Sequence, residues 1–401
     1  MLASTSRCLF LLSRPFSFAV LFLALALFNA GCGGSGTSGS SCGTADAACC
    51  ASQSCNGGLT CLAGTCNAAN VVFVTSTTYA PGALGGLAGA DSICQTLADS
   101  AGLPGNFKAW LSTNGTGGVD AIDRLGTARG FVRVDAKPVV DTTADLAAGK
   151  LMYPPRLDES GNDLGNVQVV TGTLQNGKSD GGTACGNYTD TGDSGQVTGG
   201  TSSSGGTMFT NYYGQGCGAD YHLYCFEVDR VHAVAPPETS GRMAFVTNGH
   251  FLPGGGLAAA DQLCADEAGQ AGLSGSFLAA LATTTASIAS RFSVSGAPWI
   301  RADGIAVAAT AADLFSQDFT DVDLDMNADG TQRFANYVKW SGATTWNDPG
   351  TSASTCSSFT SNTGSSAQAG LTGTTDASWL LGKSWTLDSC GSYDQLLCLE
   401  E

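Results

Sequence analysis

The chain has 401 residues, of which 55 are glycine, 16 are cysteine and only 13% are charged. Its 17 Lys and Arg stand against 34 Asp and Glu, a formal charge of −17, which argues against nucleic acid, polyanionic glycans and anionic lipid headgroups, since all recruit basic surfaces. Apolar residues make up 43%, enough for buried cores, and the length suggests two or three domains.

Residues 1–31 have the order of a secretory signal: Arg7 and Arg14, an apolar run from Phe16 to Phe28, then Asn29-Ala30-Gly31-Cys32. The run is too short to cross a bilayer core of about 30 Å as a helix. Ala-Gly-Cys resembles a bacterial lipobox, with Asn29 where that motif usually has Leu. Cys32 is therefore the expected lipidation site. Residues 32–41, rich in Gly and Ser, read as a flexible tether. The expected location is exported, held to the bacterial outer membrane or cell surface by the lipid alone.

Apart from Cys8 and Cys32, the cysteines fall into three even groups. Cys42, Cys49, Cys50, Cys55, Cys61 and Cys66 crowd into a module at 42–67. Cys94, Cys185, Cys217 and Cys225 form a second group, and Cys264, Cys356, Cys390 and Cys398 a third. Even groups in an oxidising compartment predict disulfides closed within each domain. The six-cysteine segment resembles the small knottin-like modules of secreted proteins, and its connectivity stays open. Zinc is disfavoured there because adjacent Cys49 and Cys50 suit tetrahedral ligation poorly.

The second and third groups have nearly the same spacing and lie in two copies, 70–229 and 242–401, joined by a linker at 230–241 marked by Pro236-Pro237. Val72–Ser76 and Ala244–Asn248 read as opening strands. Ile93, Leu97 and Ala101 recur at helical spacing, which puts Cys94 on a helix that ends at Gly102. Each copy closes with Cys-x7-Cys-x-Glu, Cys217 to Glu227 and Cys390 to Glu400.

The run Gly-Ala-Asp-x-x-Cys at Gly89, the following Ala-Gly-Leu-x-Gly-x-Phe-x-Ala-x-Leu and the terminal Cys-x7-Cys-x-Glu resemble endostatin. They are also similar to endostatin-like domains of unknown function in bacterial surface lipoproteins. The likeness covers roughly 71–228 and 243–400. It implies an α+β architecture of two tandem C-type-lectin-like domains, with short helices, twisted antiparallel strands and long loops. It also implies nested bridges, Cys94 to Cys225 around Cys185 to Cys217, and Cys264 to Cys398 around Cys356 to Cys390. Endostatin's zinc and heparin sites do not transfer, because the chain has three histidines in all and an excess of acids.

Two short motifs point to calcium. Asp325-Met326-Asn327-Ala328-Asp329-Gly330 fits the start of a calcium loop, with Asp325, Asn327 and Asp329 as alternating oxygen ligands and a glycine for the turn. Asn336 stands where an EF-hand needs its bidentate Glu, and the first copy has a turn-rich acidic stretch, Asp158–Asp163, at the matching place. A plain hairpin turn is the competing reading. Trp346-Asn347-Asp348 spells the tripeptide that holds calcium and sugar in C-type lectins, but it precedes Cys356 rather than Cys390, before which Trp385–Ser389 stands.

Trp340, Trp346, Trp379 and Trp385, with Tyr188, Tyr212 and Tyr213 in the first copy, are candidates for a contact platform, although core packing is the usual fate of such residues. No nucleophile–base pair stands out, and bridged cysteines do no thiol chemistry. The expected protein is not an enzyme and carries no cofactor other than calcium, if the acidic loop binds it. It is a lipid-anchored binding or adhesion protein that recognises an extracellular protein or glycan through the long loops before the final Cys-x7-Cys. A calcium-dependent lectin is the alternative, and a polysaccharide- or peptide-acting hydrolase a more remote one.

Overall fold

The computed structural model describes residues 42–182, 184–332, 338–364, 367–383 and 387–401, with only the backbone of Trp379. The expected signal, Cys32, the tether, Asn336 and Trp385 lie outside the described residues. In the six-cysteine segment, strands β1 (Thr60–Leu62) and β2 (Thr65–Asn67) form an antiparallel hairpin. Cys42–Cys50, Cys49–Cys61 and Cys55–Cys66 bridge it. The sulfurs of Cys49, Cys55 and Cys61 cluster, but as cystines they lack the thiolate charge that zinc requires. Arg230 fastens this module to the first copy: its guanidinium donates to Thr60 Oγ1 at 2.7 Å and to the Asn67 and Ala69 carbonyls at 3.1 Å.

The first copy begins with β3 (Asn70–Val74), all five residues of which are buried. It lies in a sheet of order β4-β10-β3-β5-β6 with β4 (Phe107–Ala109), β5 (Phe131–Arg133), β6 (Pro138–Val140) and β10 (Tyr224–Glu227). A second sheet joins β7 (Gln168–Val170), β8 (Gln196–Thr201) and β9 (Tyr213–Gly216). The second copy repeats the plan. Its β11 (Arg242–Val246), β12 (Phe277–Ala279), β13 (Trp299–Ile300) and β16 (Leu397–Glu400) have the order β12-β16-β11-β13, while β14 (Val338–Trp340) pairs with β15 (Ala369–Leu371). The opening strands thus start two residues earlier than the sequence suggests, at Asn70 and Arg242. In both copies the first strand lies antiparallel to the last, with Phe73 opposite Cys225 and Phe245 opposite Cys398.

A long helix, Gly86–Ala101, packs on the first sheet and ends at Gly102, whose left-handed φ of 71° suits glycine. It buries Ala90, Cys94 and Ala98, and its counterpart Gly256–Gln270 buries Ala260, Cys264 and Ala268. These small residues at i, i+4 and i+8 let the helix approach the sheet closely enough for each cysteine to reach the last strand. The bridges are Cys94–Cys225 and Cys264–Cys398, with Cys185–Cys217 and Cys356–Cys390 inside them. This is the nested pattern that the resemblance implied. The fold is α+β, with several small sheets and short helices.

The two copies share a buried seam. Ser204 bridges Thr374, and the Thr375 N–H donates to the Ser203 carbonyl at 2.8 Å. Arg156 reaches from the first copy to the Thr320 carbonyl at 2.8 Å and Thr375 Oγ1 at 3.2 Å. Lys137 pairs with Asp321 at 2.9 Å, and Tyr153 packs into the core of the second copy. Also buried here is Arg301, which grips Asp303 and Asp323. Burial, with Asp323 beside it, pushes the Asp325 carboxyl well above the usual carboxylate range.

Candidate functional site

Most residues that the copies share build the scaffold. The N–H of Ala109 in edge strand β4 donates to Asp91 Oδ1 at 3.0 Å, and Arg124 pairs with the same carboxylate. In the second copy Asp261 does this for Ala279 at 2.9 Å, with Arg291 at 2.7 Å. The aspartate of the repeated motif therefore caps a strand edge that would otherwise be open to pairing. His222, two residues before β10, donates from Nδ1 to the Thr75 carbonyl at 2.6 Å. Gln395 makes the corresponding bond to the Thr247 carbonyl at 2.8 Å. His222 and Gln395 thus do the same structural work in the two copies.

The lectin-like tripeptide is committed to the fold. Trp346 is buried, edge-on to Phe315, Asn347 donates to the Phe315 carbonyl at 2.7 Å, and Asp348 accepts from Thr345 Oγ1 at 2.7 Å. Trp340 and Tyr188 are also buried. Tyr212 and Tyr213 meet edge to face at 4.7 Å and are half-buried. Burial, then Tyr212 and Asp376, raises the Tyr213 hydroxyl to about 12. The acidic loop does not bring its three candidates together. Asp325 turns into the seam, where Gln332 Nε2 donates to it at 3.3 Å, whereas Asp329 is exposed. The loop is a hairpin turn in both copies, with Leu157 bridged to Asp163 and Met326 to Gln332.

Where the copies diverge, exposed chemistry appears. The first copy reads Asp220-Tyr221 within its terminal Cys-x7-Cys, and the second reads Tyr393-Asp394. Tyr221 N–H bonds the Tyr79 carbonyl at 2.9 Å, and its hydroxyl accepts from the Gly216 N–H at 3.2 Å. In the second copy the aromatic ring takes the outer position: Tyr393 is 63% exposed and Leu387 40%, while Asp394 is only 8% exposed. Burial, with Asp388 beside it, pushes the Asp394 carboxyl up to about 7, and its Oδ2 has no donor among the described residues. Asp388 is held by the Ser389 N–H at 2.7 Å and the Ser392 hydroxyl at 2.6 Å. The open face of Tyr393 can stack on a sugar ring. Sequence reasoning noted Asp388 but passed over Tyr393 and Asp394; the exchanged order within a matched motif was the available signal.

The seam also forms a cleft of about 490 Å³, lined by Leu151, Met152, Pro236 and Met326 with Lys150 and Asp303. Its volume lies in the range of small-molecule pockets, although Asp303 is already spent on Arg301. No protein-family model matches the chain, and no curated protein matches it. Among the described residues, no helix is long and apolar enough to cross a membrane.

Proposed function

We propose that the chain is an exported, lipid-anchored surface protein that binds a glycan through the segment between Cys390 and Cys398 of its second copy. Its copies are endostatin-like domains of C-type-lectin-like fold. Support for the fold is the first strand set against the last, with one bridge from helix to last strand and another inside it. Support for export is seven disulfides, which persist in oxidising compartments. Anchoring rests on Cys32, and Cys32→Ala should move the protein from the membrane fraction to the medium.

Binding is favoured over catalysis because His222 is tied to a backbone carbonyl and the described cysteines are bridged. The observation that carries the reading is Tyr393, a large aromatic side chain left 63% exposed five residues after the partly exposed Asp388. The test is a glycan array probed with residues 42–401. Tyr393→Ala should weaken the best hit by roughly 3- to 10-fold, the loss of one aromatic contact. Binding that survives the substitution unchanged would move the site elsewhere.

A further inference from the structure

A separate feature lies where the acidic hairpin meets the second long helix, and it does not depend on glycan binding. The hairpins of the two copies superimpose in register, because the Val74 N–H bonds the Leu157 carbonyl and the Val246 N–H bonds the Met326 carbonyl, both at 2.8 Å. Asn327 thus stands at the place of Asp158, and Ala328 at that of Glu159. In the first copy these acids are saturated. Asp158 accepts the N–H groups of Ser160 and Asn162 at 2.9 and 2.8 Å, and Glu159 accepts the Ser76 N–H at 3.0 Å.

The second copy redistributes these bonds. The carboxylate at the end of the opening strand comes from the helix instead, where Glu267 accepts the Asn248 and Gly249 N–H groups at 2.7 and 2.6 Å. Thr331 N–H goes to Asp329 at 2.9 Å, which holds that carboxyl below the usual range. Asn327 is left 7% exposed, with Oδ1 unpartnered among the described residues. Glu267, Gln270, Asn327 and Asp329 line one cleft of about 280 Å³. A buried amide oxygen without a donor among the described residues, in a cleft walled by the Glu267 and Asp329 carboxylates, offers oxygens to a cation.

We propose that this cleft holds a calcium ion through the carboxylates of Glu267 and Asp329 and the amide of Asn327. The two carboxylates balance the charge of one divalent cation. Calcium takes 6–8 oxygens in irregular geometry and completes its shell with water, whereas magnesium demands a near-ideal octahedron. Three side-chain ligands, two of them also accepting backbone N–H groups, place the affinity at about 10⁻⁴ to 10⁻³ M, as in extracellular modules. Asp325, the first oxygen of the motif in sequence, is not a ligand, because it is buried in the seam beside Arg301 of its own copy at 3.8 Å.

Isothermal titration of residues 42–401 with calcium chloride tests this, with magnesium chloride in parallel. One site is expected, and calcium at ten times its dissociation constant should raise the folded-to-unfolded ratio about tenfold. Asp329→Asn keeps an acceptor for Thr331, and Glu267→Gln keeps one for the strand end, so both variants should fold. Each should weaken calcium at least tenfold, while Asp163→Asn in the first copy's hairpin should leave it unchanged. No binding up to 10 mM, equal binding of magnesium, or calcium affinity indifferent to both variants would overturn the site.

Discussion

Glu227 Oε2 receives the N–H of Val71 at 2.8 Å, so the last strand of the first copy holds the first by a side chain as well as by its ladder. Glu400 does the same for Met243 at 2.7 Å. Burial raises the Glu227 carboxyl to about 7 even with Arg230 Nε 2.7 Å away, close but off the line that a hydrogen bond needs. Gly105 and Gly275, at φ +115° and +119°, lie directly against these carboxyls. A Cβ would stand 2.5 Å from Glu227 Oε1 or 2.6 Å from Glu400 Oε1. The glycine and the glutamate of the repeated motif are thus one device.

Gly105→Ala should therefore cost about 1–3 kcal/mol in urea denaturation, through backbone strain and displacement of Glu227. Gly126, at φ +58° with open space around a Cβ, is the control. Gly126→Ala should cost only about 1 kcal/mol. Equal losses at the two positions would show that contact with Glu227 adds nothing.

The outer and inner bridges close loops of very different length. Cys94–Cys225 spans 131 residues and Cys185–Cys217 spans 32. In the chain-entropy model they contribute about 5 and about 4 kcal/mol. Replacing the outer pair by serine should lower the denaturation midpoint more than replacing the inner pair. The reverse order would mean that native packing, not unfolded-chain entropy, sets the values.

Lys339 is 1% exposed, with Nζ donating to the Leu380 carbonyl at 2.7 Å, and burial lowers its amine to about 7. Below pH 7 the folded chain must hold a buried charge. Between about 7 and the unfolded value near 10.4, folding releases a proton, so that cost shrinks as pH rises. Lys339→Met should raise stability by about 1–2 kcal/mol at pH 6, with the gain fading by pH 9. Val169 occupies this register in the first copy, since Val169 pairs with Gly200 as Lys339 does with Gly370. A loss of similar size at both pH values would mean that the bond to Leu380 outweighs the buried charge.

Arg156, 7% exposed, carries bonds from the first copy to Thr320 and Thr375 of the second. Arg156→Ala should destabilise by about 3 kcal/mol, because it leaves buried acceptors unpaired. By calorimetry, the single unfolding transition expected of a shared seam should broaden or split. An unchanged, single transition would assign the coupling to the apolar contacts around Tyr153.

Local chemistry was legible wherever one residue type answers one local demand. The helix stop at Gly102 is one case, and the even cysteine groups are another. Asp91 and Glu227 stood out as repeated letters, but their work, accepting the N–H groups of Ala109 and Val71, needed strands far away in sequence. Asp325 and Asp329 looked alike in a calcium motif. They separate because Arg301, remote in sequence, draws Asp325 into the seam while the hairpin turns Asp329 outward.

By itself, then, the sequence determined the duplication and the three cysteine groups, which are read from spacing alone, and it gave the α+β character through the resemblance that its repeated motifs carry. Which tryptophan is core, which acid faces a cleft and how two copies meet are decided by burial. Burial depends on partners brought from distant segments: Phe315 against Trp346, Thr375 on Arg156 and Asp388 beside Asp394. Only the tertiary structure supplies them.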